Sequence, residues 1–430
     1  MAQTTGEAEW DVIVLGAGAA GLLAAARAAA GGARTLVLEK NRKAGVKILM
    51  SGGTRCNLTH DCDATGIMEA FGKNGRFLRQ ALAALGPRET VSMFNQLGVA
   101  TKVEETGKVF PASDRALQVR DALLEQAYQC GVAIRLPVAV LDLSHEANTW
   151  LVSTSAGIIR SRVVIVTVGG KSWPGCGTTG DGYAWLEKFG HSIRETHPAL
   201  VPLRGGLEWT HQLSGLTLDA VTARVWLAGQ GDSGSPVFAK KPTSQRTAGF
   251  LFTHFGFSGP VVMDVSRTVT ATHDPQRLRF QCDWLPDLSS SNLDNWLTSQ
   301  RQSSGSQHVG TALAQLVPRR LAEAICQSTN TLATPLGELS SKARQAILQM
   351  LKQCELPVIG SRGFEKAEVT AGGVALSEID PRTMKSKKMP SLFVAGEILD
   401  LDGWIGGYNF QAAFSTGHIA GIHAALAVGP

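Results

Sequence analysis

The chain has 430 residues, 44% of them hydrophobic and 18% charged, which is enough to bury the cores of about two or three domains and excludes global disorder. Its 41 basic and 36 acidic side chains give a net charge of +5, which permits an anionic partner but does not require one. The seven cysteines lack the spacing of a disulfide framework, so we expect a cytoplasmic protein; no secretory signal or membrane-spanning run is recognised.

The chain begins with a predicted strand–helix–strand unit. Residues 11–15 (DVIVL) form an unbroken apolar run, which is typical of a strand buried on both faces. Residues 19–32 are rich in alanine and predict a helix that ends at glycine. Residues 35–40 (TLVLEK) predict a second buried strand. This order indicates a βαβ unit and a parallel sheet.

The turn between the first strand and the helix carries a dinucleotide-binding fingerprint, GAGAAG, at residues 16–21. Gly16 allows the tight turn, Gly18 lets the backbone approach a pyrophosphate, and Gly21 permits close packing of helix and strand. Free N–H groups at the start of the helix would then face the phosphates. Glu39 ends the second strand, where a carboxylate can accept the hydroxyl groups of an adenosine ribose.

The rest of the chain predicts a discontinuous nucleotide-binding domain with an insertion. Beyond the βαβ unit, the predicted elements are helices at 76–98 and 115–130, an antiparallel layer within 132–168, short strands within 199–285, an exposed loop within the Ser- and Gln-rich residues 286–309, and helices within 310–355. We therefore expect a nucleotide-binding domain at 1–195 and 361–430, and an insert at 196–360 that is β-rich over 196–285 and helical over 310–355.

Two further glycine-rich stretches favour FAD over NAD as the cofactor. LMSGGTRCNLTH occupies residues 49–60, and the stretch 394–421 begins VAGEILDLDGWIGGYN. A cofactor as long as FAD requires contacts from distant segments of a chain. A helix beginning after Gly406 and Gly407 could stabilise the negative charge of a reduced flavin ring.

These motifs carry a family resemblance over nearly the whole chain. GAGAAG, GVKILMSGGTRCNLTH, EETGKVFPASDRA, LFTHFGFSGP, AEVTAGGV and LFVAGEILDLDGWIGGYNFQAAFSTGHIAG occur in that order. The chain thereby resembles the BaiN/YhiN-like, or aminoacetone-oxidase-like, NAD(P)/FAD-dependent oxidoreductases. The resemblance implies an α/β fold: a Rossmann-type FAD-binding domain with an inserted, largely β domain and a helical portion.

The resemblance also implies a non-covalently bound FAD and a role for each matching residue. The pyrophosphate would lie at Gly16, Gly18, Ala19 and Ala20, beside Gly21, with the ribose at Glu39, adenine at the backbone of Val138, and the adenosine end at Thr167, Gly169 and Gly170. Lys47, Thr54, Arg55, Cys56 and Asn57 would line the cofactor, Gly396, Glu397 and Asp400 the ribitol and phosphates, and Gly406, Gly407, Tyr408 and Asn409 the flavin ring. Thr54 departs from the family pattern, which has glycine there, and this leaves the geometry of its loop open.

The activities of the family differ, so the resemblance indicates the cofactor more firmly than the substrate. We expect hydride transfer from the flavin to an unsaturated substrate, with NAD(P)H as a transient reductant and uridine in ribosomal RNA as one candidate. The alternatives are an oxidase of small amines that uses O2 and a non-enzymatic flavin-binding redox module. His254 is the candidate catalytic residue, because imidazole titrates near neutrality. The expected partner is a small molecule or ribosomal RNA, with no metal, no membrane and the oligomeric state left open.

Overall fold

The computed structural model describes residues 9–230 and 236–429. Its strands are β1 Trp10–Leu15, β2 Thr35–Leu38, β3 Thr59–His60, β4 Thr101–Val103, β5 Lys108–Pro111, β6 Ala133–Arg135, β7 Val140–Glu146, β8 Thr149–Thr154, β9 Gly157–Val166, β10 Ile193–Ala199, β11 Leu203–Gly205, β12 Thr217–Leu227, β13 Gly229–Gln230, β14 Pro236–Val237, β15 Ser244–Thr253, β16 Gly256–Ser258, β17 Leu278–Asp283, β18 Cys354–Glu355, β19 Val358–Ser361, β20 Val369–Val374 and β21 Leu392–Val394. Its α-helices are α1 Ala19–Ala30, α2 Val46–Met50, α3 Ala64–Ala70, α4 Arg79–Ala84, α5 Pro87–Gln96, α6 Ala116–Gln129, α7 Asp181–Lys188, α8 Glu208–Gln212, α9 Pro260–Thr270, α10 Ser290–Ser303, α11 Val309–Leu313, α12 Arg319–Ser328, α13 Ser341–Lys352 and α14 Tyr408–Val428.

The chain divides into two compact units, each with its own hydrophobic core. The first comprises the described residues up to Pro198 together with those from Glu368 onward. The second is Ala199–Ala367. Both ends of the chain thus contribute to the first unit, as in an insertion between the two parts of a domain.

The first unit is built on a mixed sheet in the order β6-β2-β1-β9-β8-β7, with β21 also paired to β9. The pairs among β6, β2, β1, β9 and β21 are parallel. The long strand β9 pairs with β8 along its first half and with β1 along its second, so one strand joins the antiparallel layer to the parallel sheet. Every residue of β2 is buried, as expected for a strand covered on both faces. The predicted α/β Rossmann-type fold is confirmed.

The second unit is a seven-stranded antiparallel sheet in the order β18-β17-β12-β15-β16-β11-β19. Helix α9 packs on it through Val261, Val262, Val265 and Val269, which lie on one face of the helix. Helices α10 to α13 complete the core. This agrees with the predicted β-rich part followed by a helical part.

The prediction for residues 286–309 names only an exposed loop within them and misses a helix. Ser290–Ser303 form helix α10. The Ser289 hydroxyl accepts a hydrogen bond from the Asn292 N–H and caps the helix. Leu293 and Leu297, one turn apart, are buried on its inner face. The polar composition reflects the outer face of an amphipathic helix.

Helices α1 and α14 approach each other closely through small residues. A β-carbon at Gly417 would overlap the carbonyl oxygen of Ala20, and one at Gly421 would overlap that of Ala24. Glycine at both positions therefore allows the two backbones to touch. The buried face of α1 therefore packs on α14, while no side chain caps the N-terminus of α1.

The close contact of α1 and α14 also buries His418, and this makes stability dependent on pH. Burial, and next the positive charge of Arg27, lower the pKa of His418 from 6.5 to about 4. Between these values the unfolded chain binds more protons than the folded one, so stability decreases as pH falls through the window. We expect a loss on the order of 3 kcal/mol from this group. Urea unfolding at pH 7 and at acid pH should show a smaller loss for His418→Leu than for the unmodified protein; equal losses would exclude His418 as the cause.

Candidate functional site

Parallel strands of the first unit end together at one edge of the sheet. Leu15 of β1 is in register with Leu38 of β2 and with Val166 of β9, which is itself in register with Val394 of β21. The predicted cofactor residues that follow these ends are Gly16, Glu39, Thr167 and Gly396. Ligands of open α/β sheets bind outside the carboxyl ends of the strands. The register therefore places these four residues, which are distant in sequence, at the same edge of the sheet.

The glycine-rich turn leaves the N-terminus of α1 open. Gly16 has a φ of +95°, which favours glycine. Gly18 is the N-cap, no side chain caps the helix there, and no protein atom lies within 4 Å of the position that a β-carbon at Gly18 would take. A β-carbon at Gly21 would instead overlap the Gly16 carbonyl oxygen. Gly21 is thus required for packing, whereas Gly18 borders free space that fits an anionic ligand.

Glu39 is buried beside this turn and holds two backbone segments. Its Oε2 accepts a hydrogen bond from the Ala17 N–H at 2.9 Å, and its Oε1 accepts one from the Asn41 N–H at 2.8 Å. Its own carbonyl oxygen accepts the Val138 N–H at 2.8 Å. Glu39 and Val138, predicted separately for ribose and adenine, are therefore neighbours.

The end of β9 closes the other side of the turn. The Thr167 hydroxyl donates to the Leu15 carbonyl oxygen at 2.7 Å, and Gly16 packs against the Thr167 backbone. Gly169 has a φ of +75°. A β-carbon at Gly170 would overlap the Thr370 side chain. Of the three residues predicted for the adenosine end, Thr167 thus shapes the glycine turn and Gly170 lies against Thr370.

A polar network joins four segments beyond the turn. Lys47 forms an ion pair with Glu397, and its Nζ also donates to the Ser172 hydroxyl at 2.6 Å. Oε1 of Glu397 accepts the Ser172 hydroxyl at 2.5 Å and the Thr370 N–H at 3.1 Å. The network fixes a half-buried ammonium and carboxylate close to the helix N-terminus, where a diphosphate and a polyol chain could be bound.

Sequence reasoning found Lys47 and Glu397 but missed Ser172 and Thr370. The Thr370 hydroxyl also accepts the N–H groups of Lys171 and Ser172, so it fixes the segment that carries Ser172. Neither residue lies in a recognisable phosphate-binding pattern. Their only sequence signal is their nearness to Gly169 and Gly372.

The loop before β3 has an unusual backbone. Gly52, Gly53, Thr54 and Cys56 all have φ between 55° and 70°. Thr54 therefore occupies the left-handed conformation that a β-branched residue disfavours. The glycine that the resemblance leads us to expect here would suit this conformation, and Thr54 adopts it in its place.

Two side chains of this loop have distinct environments. The Arg55 guanidinium pairs with Glu104 at 2.6 Å and lies 4.0 Å from the centre of the Phe110 ring. The buried Oδ1 of Asn57 has no hydrogen-bond partner among the described residues. Burying an unpaired amide oxygen is unfavourable, so Asn57 fits a site that receives a hydrogen-bond donor from a ligand. Arg55, in contrast, has its charge balanced by the protein.

The loop at Gly406 and Gly407 begins helix α14 and is backed by β3. Both glycines have positive φ, and a β-carbon at Gly407 would lie 2.7 Å from the Asn57 Oδ1. His60, which sequence reasoning missed, donates from Nδ1 to the Gly406 carbonyl oxygen at 3.0 Å. Its ring stacks on that of Tyr408, with centroids 4.7 Å apart. The fold therefore brings the second glycine-rich stretch, residues 49–60, against the last.

The remaining residues predicted in the last stretch shape the backbone. The Asn409 amide exchanges hydrogen bonds with the N–H and C=O groups of Gly403, at 2.8 and 3.0 Å. The carbonyl oxygen of Asp400 accepts the Asn74 amide at 2.9 Å. Gly396 has a φ of +81°, and a β-carbon there would lie 2.9 Å from that of Ala20. Gly396 thus lies beside the first turn of α1, which also contains Ala19.

His254 lies in the second unit, exposed in the turn between β15 and β16. Its ring contacts Phe255 edge to face, with centroids 5.0 Å apart. Its catalytic role stays a prediction.

The chemistry of Cys56 is limited by burial, which raises the pKa of its thiol to about 12 and keeps it protonated at neutral pH. Cys56 is therefore not a thiolate nucleophile. Across residues 9–230 and 236–429, no group of three or more His, Cys, Asp or Glu side chains could hold a metal ion. None of the helices within those residues is long and apolar enough to cross a membrane.

Four features of this site fit a dinucleotide such as FAD. They are the open space at the N-terminus of α1, the Glu39 carboxylate beside it, the Lys47–Glu397 ion pair and the unpartnered amide oxygen of Asn57. Comparisons with known proteins agree with this fit. The family model described as HI0933-like protein Rossmann domain matches residues 10–423.

Curated relatives match along their whole length. Ribosomal RNA dihydrouridine synthase of Escherichia coli is 32% identical over 410 residues, covering 95% of this chain and 96% of the relative. The 3-dehydro-bile acid delta(4,6)-reductase of Clostridium scindens is 29% identical over 417 residues, covering 96% and 98%. Among solved structures, the open conformation of a flavocytochrome c3 fumarate reductase aligns with a TM-score of 0.50 at 16% identity, over 99% of this chain and 80% of that one. This last likeness concerns the fold alone.

Proposed function

The chain belongs to the HI0933-like Rossmann-domain family and is an FAD-dependent oxidoreductase, and from that premise we propose that it reduces uridine in ribosomal RNA to dihydrouridine. The proposal rests on one observation above all. The relative named as ribosomal RNA dihydrouridine synthase aligns with this chain from end to end, at 32% identity.

The name of the second relative supports the same type of reaction. A delta(4,6)-reductase, like a dihydrouridine synthase, is named for saturating carbon–carbon double bonds. In uridine the C5–C6 double bond is conjugated with a carbonyl group. Because this conjugation makes C6 electrophilic, C6 can accept a hydride and C5 then accepts a proton. The overall reaction is uridine plus NAD(P)H and a proton giving dihydrouridine and NAD(P)+. FAD, when bound, supplies the hydride-carrying ring.

The residues of the chain would bind and orient this cofactor. The N-terminus of α1, with Gly16, Gly18, Ala19 and Ala20, would hold the pyrophosphate, and Glu39 the adenosine ribose. Lys47 and Glu397 would hold the phosphates and the ribitol.

Around the flavin ring, Gly406 and Gly407 would keep side chains away so that the backbone could approach it. The N-terminus of α14 would offer a positive dipole end there, and the Asn57 oxygen would be available to accept a hydrogen bond from the ring. His254 is the proposed proton source for C5.

NAD(P)H is the proposed electron donor, and it would bind to the protein only transiently. The GxGxxG spacing occurs at residues 16–21, 175–180 and 229–234. Within the described chain only the first joins a strand to a helix in a βαβ unit, and that fingerprint would serve FAD. A second dinucleotide would therefore bind without a Rossmann site of its own.

The test is a reconstituted reaction. Purified protein is incubated with NADH or NADPH and ribosomal RNA from a strain that lacks dihydrouridine, and dihydrouridine is measured by mass spectrometry of the digested RNA. We expect dihydrouridine to form with one or both donors, and the flavin-free Gly18→Val variant to form none. If the flavin is bleached but the RNA stays unchanged, while a steroid dienone is reduced, the RNA assignment is wrong.

The network around Glu397 gives a smaller, separate prediction. Ser172→Ala removes the hydroxyl that bridges Lys47 and Glu397, while these two stay directly paired. One hydrogen bond is worth about 0.5–1.5 kcal/mol, so we expect FAD to bind about 2- to 10-fold more weakly. Titration of the apoprotein measures this, with Ser144→Ala on β7 as the control. Equal affinities for all three proteins would place the network outside the cofactor site.

A further inference from the structure

The second unit carries a basic and aromatic surface, of which the LFTHFGFSGP motif supplies only the aromatic part. It consists of Arg204, His254, Phe255 and Arg362 and is called here the arginine–phenylalanine surface. Strand β11, next to the edge strand β19, brings its parts together, because Arg204 is in register with Gly256 on one side and with Gly360 on the other. The Phe255 carbonyl oxygen accepts the Gly205 N–H at 3.1 Å, and the Arg362 N–H donates to the Pro202 carbonyl oxygen at 3.0 Å. Backbone hydrogen bonds therefore fix the arrangement.

The side chains of His254, Phe255 and Arg362 contact one another at the surface. The Arg362 guanidinium carbon lies 4.5 Å from the centre of the Phe255 ring, and His254 meets the same ring edge to face. Arg204, His254 and Arg362 are exposed, and Phe255 is half-buried. Among the described residues, neither Arg204 nor Arg362 has a carboxylate within ion-pair distance. Their positive charges are not balanced locally.

Other basic clusters of the sequence differ in this respect. Arg319 pairs with Glu323 at 2.7 Å, and Arg382 with Asp380 at 2.9 Å. Lys388 lies 3.7 Å from Glu378. These three side chains each have a carboxylate partner, whereas Arg204 and Arg362 have none at ion-pair distance among the described residues.

We propose that the arginine–phenylalanine surface binds a single-stranded segment of RNA, an inference that rests on the proposed function. Two unbalanced guanidinium groups suit phosphate oxygens, and arginine can contact a phosphate through two hydrogen bonds at once. Phe255 and His254 offer ring faces and edges on which an unpaired base can stack. A base must leave its stack before it can be reduced, so a surface for unpaired RNA suits a uridine reductase.

The test measures binding of a fluorescent single-stranded oligoribonucleotide that contains uridine, by anisotropy at several salt concentrations, with the flavin-loaded protein. For the double variant Arg204→Gln/Arg362→Gln we expect Kd to rise 10-fold or more, and the slope of log Kd against log salt to fall by about 1.4, since each phosphate contact on a single strand adds about 0.7. For Phe255→Leu we expect Kd to rise about 5-fold or more with an unchanged slope.

The matched control is Arg319→Gln/Arg382→Gln, which removes the same charge from paired arginines and should leave Kd within about 2-fold, as surface ion pairs contribute little. The flavin spectrum and circular dichroism of each variant verify folding. Equal losses in both double variants would overturn the proposal, since they would indicate a general charge effect. An unchanged Kd for the Phe255→Leu variant would also overturn the proposal.

The same variants separate this inference from the proposed function. If the unmodified protein forms dihydrouridine while the arginine double variant binds and reduces RNA equally well, the proposed RNA-binding surface is wrong and the proposed function is supported. If no dihydrouridine forms but RNA binding depends on Arg204, Arg362 and Phe255, the RNA-binding surface is supported and the proposed reaction is wrong.

Discussion

A Gly18→Val protein should fold normally and elute without flavin. The position of the new side chain is free of protein atoms within 4 Å, and the φ of Gly18 is −84°, which valine adopts readily. Only a ligand at the N-terminus of α1 would meet it. We expect the flavin content to drop below about a tenth of the unmodified protein, because loss of the close backbone approach removes several phosphate hydrogen bonds at once.

Two glycine variants serve as controls for this result. Gly229→Val also places valine in open space, but in the second unit, and should keep its flavin. Gly21→Ala should instead impair folding, because its β-carbon overlaps the Gly16 carbonyl oxygen. A yellow Gly18→Val protein with full flavin content would show that the cofactor does not lie at this turn.

Replacement of Glu39 by alanine should weaken FAD binding by about 10- to 100-fold, which is the range for lost hydrogen bonds to a charged group. The reason is twofold. The carboxylate that would bind the ribose is gone, and the N–H groups of Ala17 and Asn41 lose their acceptor. The glycine-rich turn would therefore be less well ordered even before the cofactor binds.

Titration of the apoprotein with FAD, followed by quenching of flavin fluorescence, measures this effect. Glu39→Gln retains one acceptor oxygen and should give an intermediate affinity. Glu187→Ala, which removes an exposed carboxylate on α7, should bind as the unmodified protein does. An unchanged affinity in Glu39→Ala would mean that the ribose is bound by other groups.

Local patterns predicted the cofactor-binding edge because strand ends carry their own signals. An apolar run, a GxGxxG turn and an acid at the end of the second strand are all close in sequence, and the parallel register then aligns them. The register of Val166 with Val394 extended this edge to Gly396. These features depend on backbone geometry, which sequence patterns report well.

What the sequence did not reveal depends on contacts between distant segments. Ser172 and Thr370 become partners of Glu397 only once β9 and the last part of the chain are folded together. Likewise, Arg204 and Arg362 come near each other in the sheet through the pairing of β11 with β19, and nothing in either local sequence indicates that their charges lack a paired carboxylate. Helix α10 was missed for another reason, since its polar outer face concealed a capped helix with Leu293 and Leu297 inside.

The account depends most on the convergence of three glycine-rich stretches on one flavin. The direct measurement is the visible absorption spectrum of the protein after gel filtration, followed by heat release and chromatography of any bound flavin. The account predicts a yellow protein with about one FAD per chain, released intact on denaturation. A folded, colourless protein that stays colourless after incubation with FAD would contradict it.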